Sequence, residues 1–137
     1  MACVFCAIVA GVEPAHVVWD DSETMAFLAI RPASPGHALV VPKIHAEDIW
    51  AIDPGTFTSV ALTTHAVSAL IGERLEPEGL TLFQANRPAG WQSVFPLHIH
   101  VVPRYSDDDL IQPWSDAPGD GEQLNSVGAR LGAQRQR

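Results

Sequence analysis

Short apolar runs alternate with polar or proline-containing breaks along most of this chain, and each run reads as one element. Val17 to Trp19 and Met25 to Ile30 flank the polar turn Asp20-Asp21-Ser22-Glu23, which predicts a β-hairpin. Arg31 to Gly36 is a loop by composition, and His37 to Val41 is a third strand closed by Pro42. After that the period changes. Phe57, Val60, Ala61, Thr64, Val67, Ser68 and Ile71 recur at helical spacing, behind Asp53 as N-cap and Pro54 at the first helical position. This helix is predicted to end near Leu75, before Glu76-Pro77-Glu78-Gly79, with His65 off its inward stripe and on the surface. Leu80 to Ala85 and Leu97 to Val102 are the fourth and fifth strands, with a loop from Asn86 to Gly90. Cys3 to Ala10 reads as a short helical turn, His45 to Ile52 as a short helix and Leu124 to Leu131 as a weak one. Three strands, a long helix and two strands imply an α+β fold with an antiparallel sheet.

The totals narrow the function classes. A chain of 137 residues with 47% hydrophobic side chains suits one domain with one core. The boundary is expected at 1–105, with 106–137 as an extension rich in Asp, Pro, Gly and Gln that wraps the surface or stays partly disordered. No apolar run has the length of a membrane span, and no secretory leader is expected. The two cysteines, Cys3 and Cys6, are too close together to staple a fold, which points to the reducing cytoplasm. A net charge of −8 argues against nonspecific nucleic-acid binding but leaves room for a small phosphate-bearing ligand.

The chemistry concentrates in Gln92-Ser93-Val94-Phe95-Pro96-Leu97-His98-Ile99-His100-Val101-Val102-Pro103-Arg104. On a strand, Leu97, Ile99 and Val101 point into a core and residues 96, 98 and 100 share the other face. Two imidazoles fixed on a rigid strand suit nucleophilic or acid–base work near neutral pH. Taken alone, H-x-H fits equally well a strand whose polar face happens to carry histidines. Gln92 and Ser93 supply amide and hydroxyl donors for phosphate oxygens. Cys3-x-x-Cys6 offers two thiolates to zinc, with His45 the best third ligand; otherwise these are two small buried side chains. His45-Ala46-Glu47 has the H-x-E spelling of zinc deaminases, but their cysteine pair follows it and here it precedes, which excludes them. Walker, G-x-S-x-G and H-E-x-x-H sequences are absent.

From about Cys3 to Arg104 the chain resembles the histidine triad (HIT) family. The resemblance rests on Val4 to Gly11, Phe27 to Pro32, Gly36-His37 through Lys43-Ile44-His45, Asn86, and Gln92 through Arg104, in that order. It implies a HIT-like fold: a five-stranded antiparallel sheet with one long and one or two short helices, paired into a homodimer. It implies a hydrolase or transferase of nucleotide conjugates, acting on nucleoside phosphoramidates or dinucleoside polyphosphates and releasing a nucleoside monophosphate. By the same resemblance His98 is the nucleophile that becomes nucleotidylated, and His100 contacts phosphate oxygens. Gln92 and Ser93 hold the phosphates or leaving group, and Asn86 contacts phosphate or ribose. Val4, Phe5, Ile8, Phe27 and Ile30 form the apolar slot for a purine base.

Three positions depart from the family pattern. Pro96 stands where the first histidine of the motif would be, and that histidine is a metal ligand in zinc-binding members. Cys3, Cys6 and His45 then keep an open position, so no cofactor is expected to be required and any zinc would be structural. Pro96 still offers its carbonyl to orient His98, and its lack of an N–H predicts an edge or bulge there. Ala29 replaces an aspartate that binds ribose hydroxyls, and Trp91 replaces a glycine in a loop one residue shorter than usual. The changes at Pro96 and Ala29 motivate the alternatives: a nucleotide-binding regulatory protein with little turnover, or a zinc-stabilised scaffold.

Overall fold

The computed structural model describes residues 3–132. Its order is α1 (Val4–Val9), β1 (Val17–Asp20), β2 (Thr24–Leu28), β3 (Ala38–Pro42), α2 (Pro54–Leu75), β4 (Gly79–Gln84), a 3₁₀ turn (Pro88–Gly90), β5 (Ile99–Arg104) and α3 (Gly121–Leu131). The five strands form one antiparallel sheet in the order β1-β2-β3-β5-β4, the sheet expected from the sequence.

Local chemistry explains the elements. Asp21 closes the first hairpin by accepting the N–H groups of Glu23 and Thr24, both at 2.8 Å. Asp53 caps α2 by accepting the Thr56 N–H at 3.0 Å, with Pro54 in the first turn. The buried stripe of α2 is Val60, Thr63, Thr64, Val67 and Ile71. Thr63 replaces the expected Ala61 because its hydroxyl meets that of Thr24, buried on β2, at 2.6 Å.

The predicted helix over His45 to Ile52 does not form; that stretch is a loop with turns. Its backbone groups find partners elsewhere. The Asp48 carboxylate accepts from the Trp50 and Ala51 N–H groups, Asn86 Oδ1 accepts from Ile49 N–H, and the Ala46 carbonyl accepts from Leu97 N–H. A helix would have to break all of these.

Alternation along the strands gives the sheet two buried faces. Ala26, Ala38, Val40, Ile99 and Val101 pack against Val60, Val67 and Ile71 of α2. Met25, Phe27 and Val41 pack on the opposite face against Phe5 of α1. His98 and His100, out of step with Ile99 and Val101, belong to this second face. The ladder of β5 starts at Ile99, three residues past Pro96, and the Leu97 N–H bonds to Ala46 instead of a strand. Leu97 itself is fully buried. In the extension, 106–120 is irregular and α3 has no buried residue; residues 133–137 lie outside the described residues.

Candidate active site

Three histidines meet on the α1 face of the sheet. The His98 and His100 rings lie 4.6 Å apart between centroids, and His37, at the entrance to β3, lies 5.2 Å from His100. Strand pairing explains the third: β3 is antiparallel to β5, with Ala38 opposite Val101 and Leu39 opposite His100. Phe5 meets His98 edge-on at 5.1 Å, and Phe83, opposite His100 on β4, stacks on His100 at 4.0 Å. The two rings are therefore held between aromatic walls, in staggered positions that side-chain packing fixes.

The hydrogen bonds assign every tautomer. His98 Nδ1–H donates to the Pro96 carbonyl at 3.0 Å, which leaves Nε2 with a free lone pair. The Ala33 N–H donates to His37 Nδ1 at 3.0 Å, so the proton of neutral His37 sits on Nε2. That Nε2–H donates to His100 Nδ1 at 2.9 Å, and the proton of neutral His100 is left on its own Nε2. The chain from Ala33 through His37 thus leaves an N–H donor at His100, and the separate bond to Pro96 leaves a bare nitrogen at His98. Among the described residues no buried side-chain polar atom lacks a hydrogen-bond partner. The Nε2 atoms of His98 and His100 make none there, so neither is sealed from solvent.

Electrostatics keep the three rings neutral. Burial pushes His98 below its ordinary value, partly opposed by the bond to the Pro96 carbonyl. Burial, with the neighbouring His98, lowers His37. His100 is pushed down to about 3, by burial first and then by His98 and His37. At neutral pH the site holds an uncharged acceptor nitrogen at His98 and an uncharged donor at His100.

The remaining sequence-predicted residues are distributed as follows. Phe5 and Phe27 are buried edge to face, 5.5 Å apart, with Ile8 packed beside them. Val4 is 47% exposed and Ile30 93% exposed. Gln92 is buried, and its carboxamide is committed to the loop. Its Oε1 accepts from Arg87 N–H at 2.7 Å, and its Nε2 donates to the carbonyls of Glu47 at 2.8 Å and Val94 at 3.3 Å. Asn86 pairs with Gln84 through both amide atoms and also accepts from Ile49 N–H. Gln92 and Asn86 therefore order the loop that carries Ser93, which is exposed. His37 and Phe83 were not singled out from the sequence. The signal for His37 is its parity with Leu39 and Val41 at the head of β3.

Cys3, Cys6 and His45 also converge: their donor atoms lie within 4.8 Å of one another, with Cys6 Sγ 3.1 Å from His45 Nδ1. Cys3 raises the Cys6 thiol above its ordinary value, chiefly through their hydrogen bond. Two sulfurs and an imidazole at this spacing fit three corners of a tetrahedral zinc site.

A family model described as the HIT domain matches residues 10–107. The chain belongs to the HIT family. It is similar to an adenosine 5'-monophosphoramidase of Schizosaccharomyces pombe, 30% identical over 132 residues that span 96% of each chain. Among solved structures it resembles a HIT family member from Bacillus subtilis with a TM-score of 0.88, 30% identity, and coverage of 96% of this chain and 95% of that one. It also resembles a zinc-bound histidine triad family protein from Mycobacterium smegmatis, with a TM-score of 0.77, 35% identity and 96% coverage of both. These HIT structures share the fold described above. Among the described residues of this HIT protein, no helix is long and apolar enough to cross a membrane.

Proposed function

We propose that this HIT protein hydrolyses nucleotide conjugates, phosphoramidates or dinucleoside polyphosphates, through a nucleotidyl group carried on His98. The observation that carries the reading is the pair of tautomers: a bare His98 Nε2, set by Pro96, beside a His100 Nε2–H, set by the chain through His37. His98 Nε2 attacks the α-phosphorus and forms a P–N bond. The bond to the leaving group breaks, its electron pair goes to the departing nitrogen or oxygen, and a departing amine takes a proton from solvent. Water then attacks the same phosphorus, the P–N bond to His98 breaks and returns its pair to Nε2, and the water proton leaves with solvent. The product is a nucleoside monophosphate. The positive ring formed in the first step is stabilised by the Pro96 carbonyl, and His100 Nε2–H donates to a phosphoryl oxygen.

Phe5, Phe27 and Ile8, with Val4 and Ile30 at the rim, suit the flat apolar face of a purine. Ser93 offers its hydroxyl to the phosphates, while Gln92 and Asn86 position the loop. Cys3, Cys6 and His45 would hold zinc structurally, tying α1 to the segment after β3. A homodimer accounts for β4, an edge strand whose Leu80 and Leu82 are 37% and 50% exposed. The free Cys3 and Cys6 suit a cytoplasmic protein. The test is monophosphate release from an adenosine phosphoramidate and from a diadenosine polyphosphate, compared with His98→Ala. A wild-type protein that binds nucleotide yet releases nothing from either would establish the regulatory, non-catalytic alternative.

A further inference from the structure

A second cavity lies on the far side of the sheet from the histidines, between the sheet and α2. Its floor is Ala38 of β3 with Val67 and Ile71 of α2, the first two fully buried and the third nearly so. Val18 of β1, Leu28 of β2 and Leu70 of α2 wall it, each half-buried, and Pro35, Arg74 and Leu75 stand exposed at its rim. Its volume is about 420 Å³, in the range of small-molecule sites. Val18, Leu28 and Ala38 pack on the α2 face, whereas His98 and His100 belong to the α1 face, so the cavity is separate from the candidate active site. Its strand residues come from β1, β2 and β3, at the other end of the sheet from the β4 edge.

The rim is fixed in place. Ser34 Oγ donates to the Pro103 carbonyl at 2.6 Å, and the Tyr105 hydroxyl donates to the Pro35 carbonyl at 3.0 Å, so the loop carrying Pro35 and Gly36 is pinned on both sides. Gly36 has φ +93°, and a Cβ there would come within 2.5 Å of Leu75 Cδ1. Glycine thus lets the loop close against the end of α2. A cavity held open by its own walls spares an occupant the cost of ordering them. Charge indicates which occupant. Arg74 is the one charged residue lining the cavity, and no carboxylate lines it. Among the described residues its ion partner is Glu73 at 3.9 Å, with the two side chains 70% and 74% exposed. A pair so long and so open is worth little, which leaves guanidinium donors for an incoming group. Aliphatic walls take hydrocarbon, and a single cation at the rim takes one anionic head. A sugar or a polyphosphate would instead press polar groups against walls that offer them no partners.

We propose that this cavity binds a medium-chain monocarboxylate, with the hydrocarbon inward and the carboxylate on Arg74. The probe is decanoate below its micelle concentration, titrated calorimetrically into the full chain, with decanol and acetate as controls. Decanoate is expected to saturate one site per chain, to bind more tightly than decanol, to show a negative heat-capacity change and to raise Tm. Acetate, which has the head without the tail, is expected to give no saturable heat. Arg74→Gln changes an exposed side chain and leaves the packing of α2 intact. It should weaken decanoate about fivefold, the scale of an exposed ion pair, and leave decanol unchanged. Intermolecular NOEs should link the decanoate methylenes to the methyl groups of Leu28, Ala38 and Val67. NOEs to Phe5 or Phe27 would instead put the ligand on the histidine face and overturn the proposal. So would a lack of saturable decanoate binding, equal affinities for decanoate and decanol, or an Arg74→Gln affinity equal to that of wild type. A crystal structure with α3 or a second copy of the chain seated against Ala38 and Leu70 would give the cavity a different occupant and also overturn it. No readout here involves turnover, so the outcome is independent of whether His98 is a nucleophile.

Discussion

His37 offers the sharpest test, because its hydrogen bond sets the tautomer of His100. Replacing it with alanine removes the Nε2–H that donates to His100 Nδ1 and the Nδ1 that accepts from Ala33 N–H. His37 is 7% exposed, so two polar groups lose a partner largely away from water. Leaving a buried polar group unsatisfied costs about 1–3 kcal/mol, and water entering the space offsets part of the second loss. For a domain of this size that is a fall of about 4–12 °C in Tm. The catalytic effect is separate. Without His37, nothing forces the His100 proton onto Nε2, and a bias of about 1–2 kcal/mol is a factor of roughly 5–30 in tautomer population. The loss is expected in kcat and not in KM, since the donor acts on charge developing in the transition state. His37→Gln places an amide N–H near the lost donor and is expected to recover most of kcat. Long-range ¹H–¹⁵N correlation spectra read the tautomers directly: Nδ1–H at His98, Nε2–H at His37 and at His100. An Nδ1–H proton on His100 in the wild type, or His37→Ala with lowered Tm and unchanged kcat, would refute the tautomer chain.

Acid is expected to destabilise the fold. The folded values of His37, His98 and His100 lie below the ordinary histidine value, so between the two the unfolded chain binds more protons and unfolding free energy rises with pH. Stability should fall from about pH 6.5 downward, toward about 3 for His100, and chemical denaturation of His100→Asn should show a shallower decline; equal slopes would contradict the neutral site. Elemental analysis should find less than about one zinc per wild-type chain and close to one in Pro96→His, which supplies a fourth corner; full occupancy in the wild type would show that three ligands suffice. Leu82→Glu on the β4 edge should convert a dimer to a 14.8 kDa monomer in light scattering, and a wild type already at that mass would remove the dimer.

Periodicity made the strands, the capped long helix and the face assignment of His98 and His100 legible, because each depends on neighbours close in sequence. What it missed depends on pairing across the sheet. His37 joins the site only because β3 lies beside β5, and Phe83 only because the β4–β5 register sets it opposite His100. The false helix at His45 to Ile52 failed for a different reason: its N–H groups bond to the local Asp48 carboxylate and to the distant Asn86, in a loop that also receives Leu97. Gln92 is the subtler case. Its residue type suits a phosphate contact, yet its burial and three bonds make it the strut of its own loop.

A histidine at position 96 would add an imidazole to the backbone carbonyl that the chain already presents to His98. Proline keeps only the carbonyl, and in this chain that carbonyl accepts the His98 Nδ1 proton at 3.0 Å. The Leu97 N–H bond to Ala46 ties the residue after Pro96 to the residue after His45. A side chain at 96 that reached the Cys3, Cys6 and His45 cluster and the carbonyl that orients His98 would be different atoms of one residue. A substitution at 96 can change the first while the second persists, as long as the backbone carbonyl stays where it is.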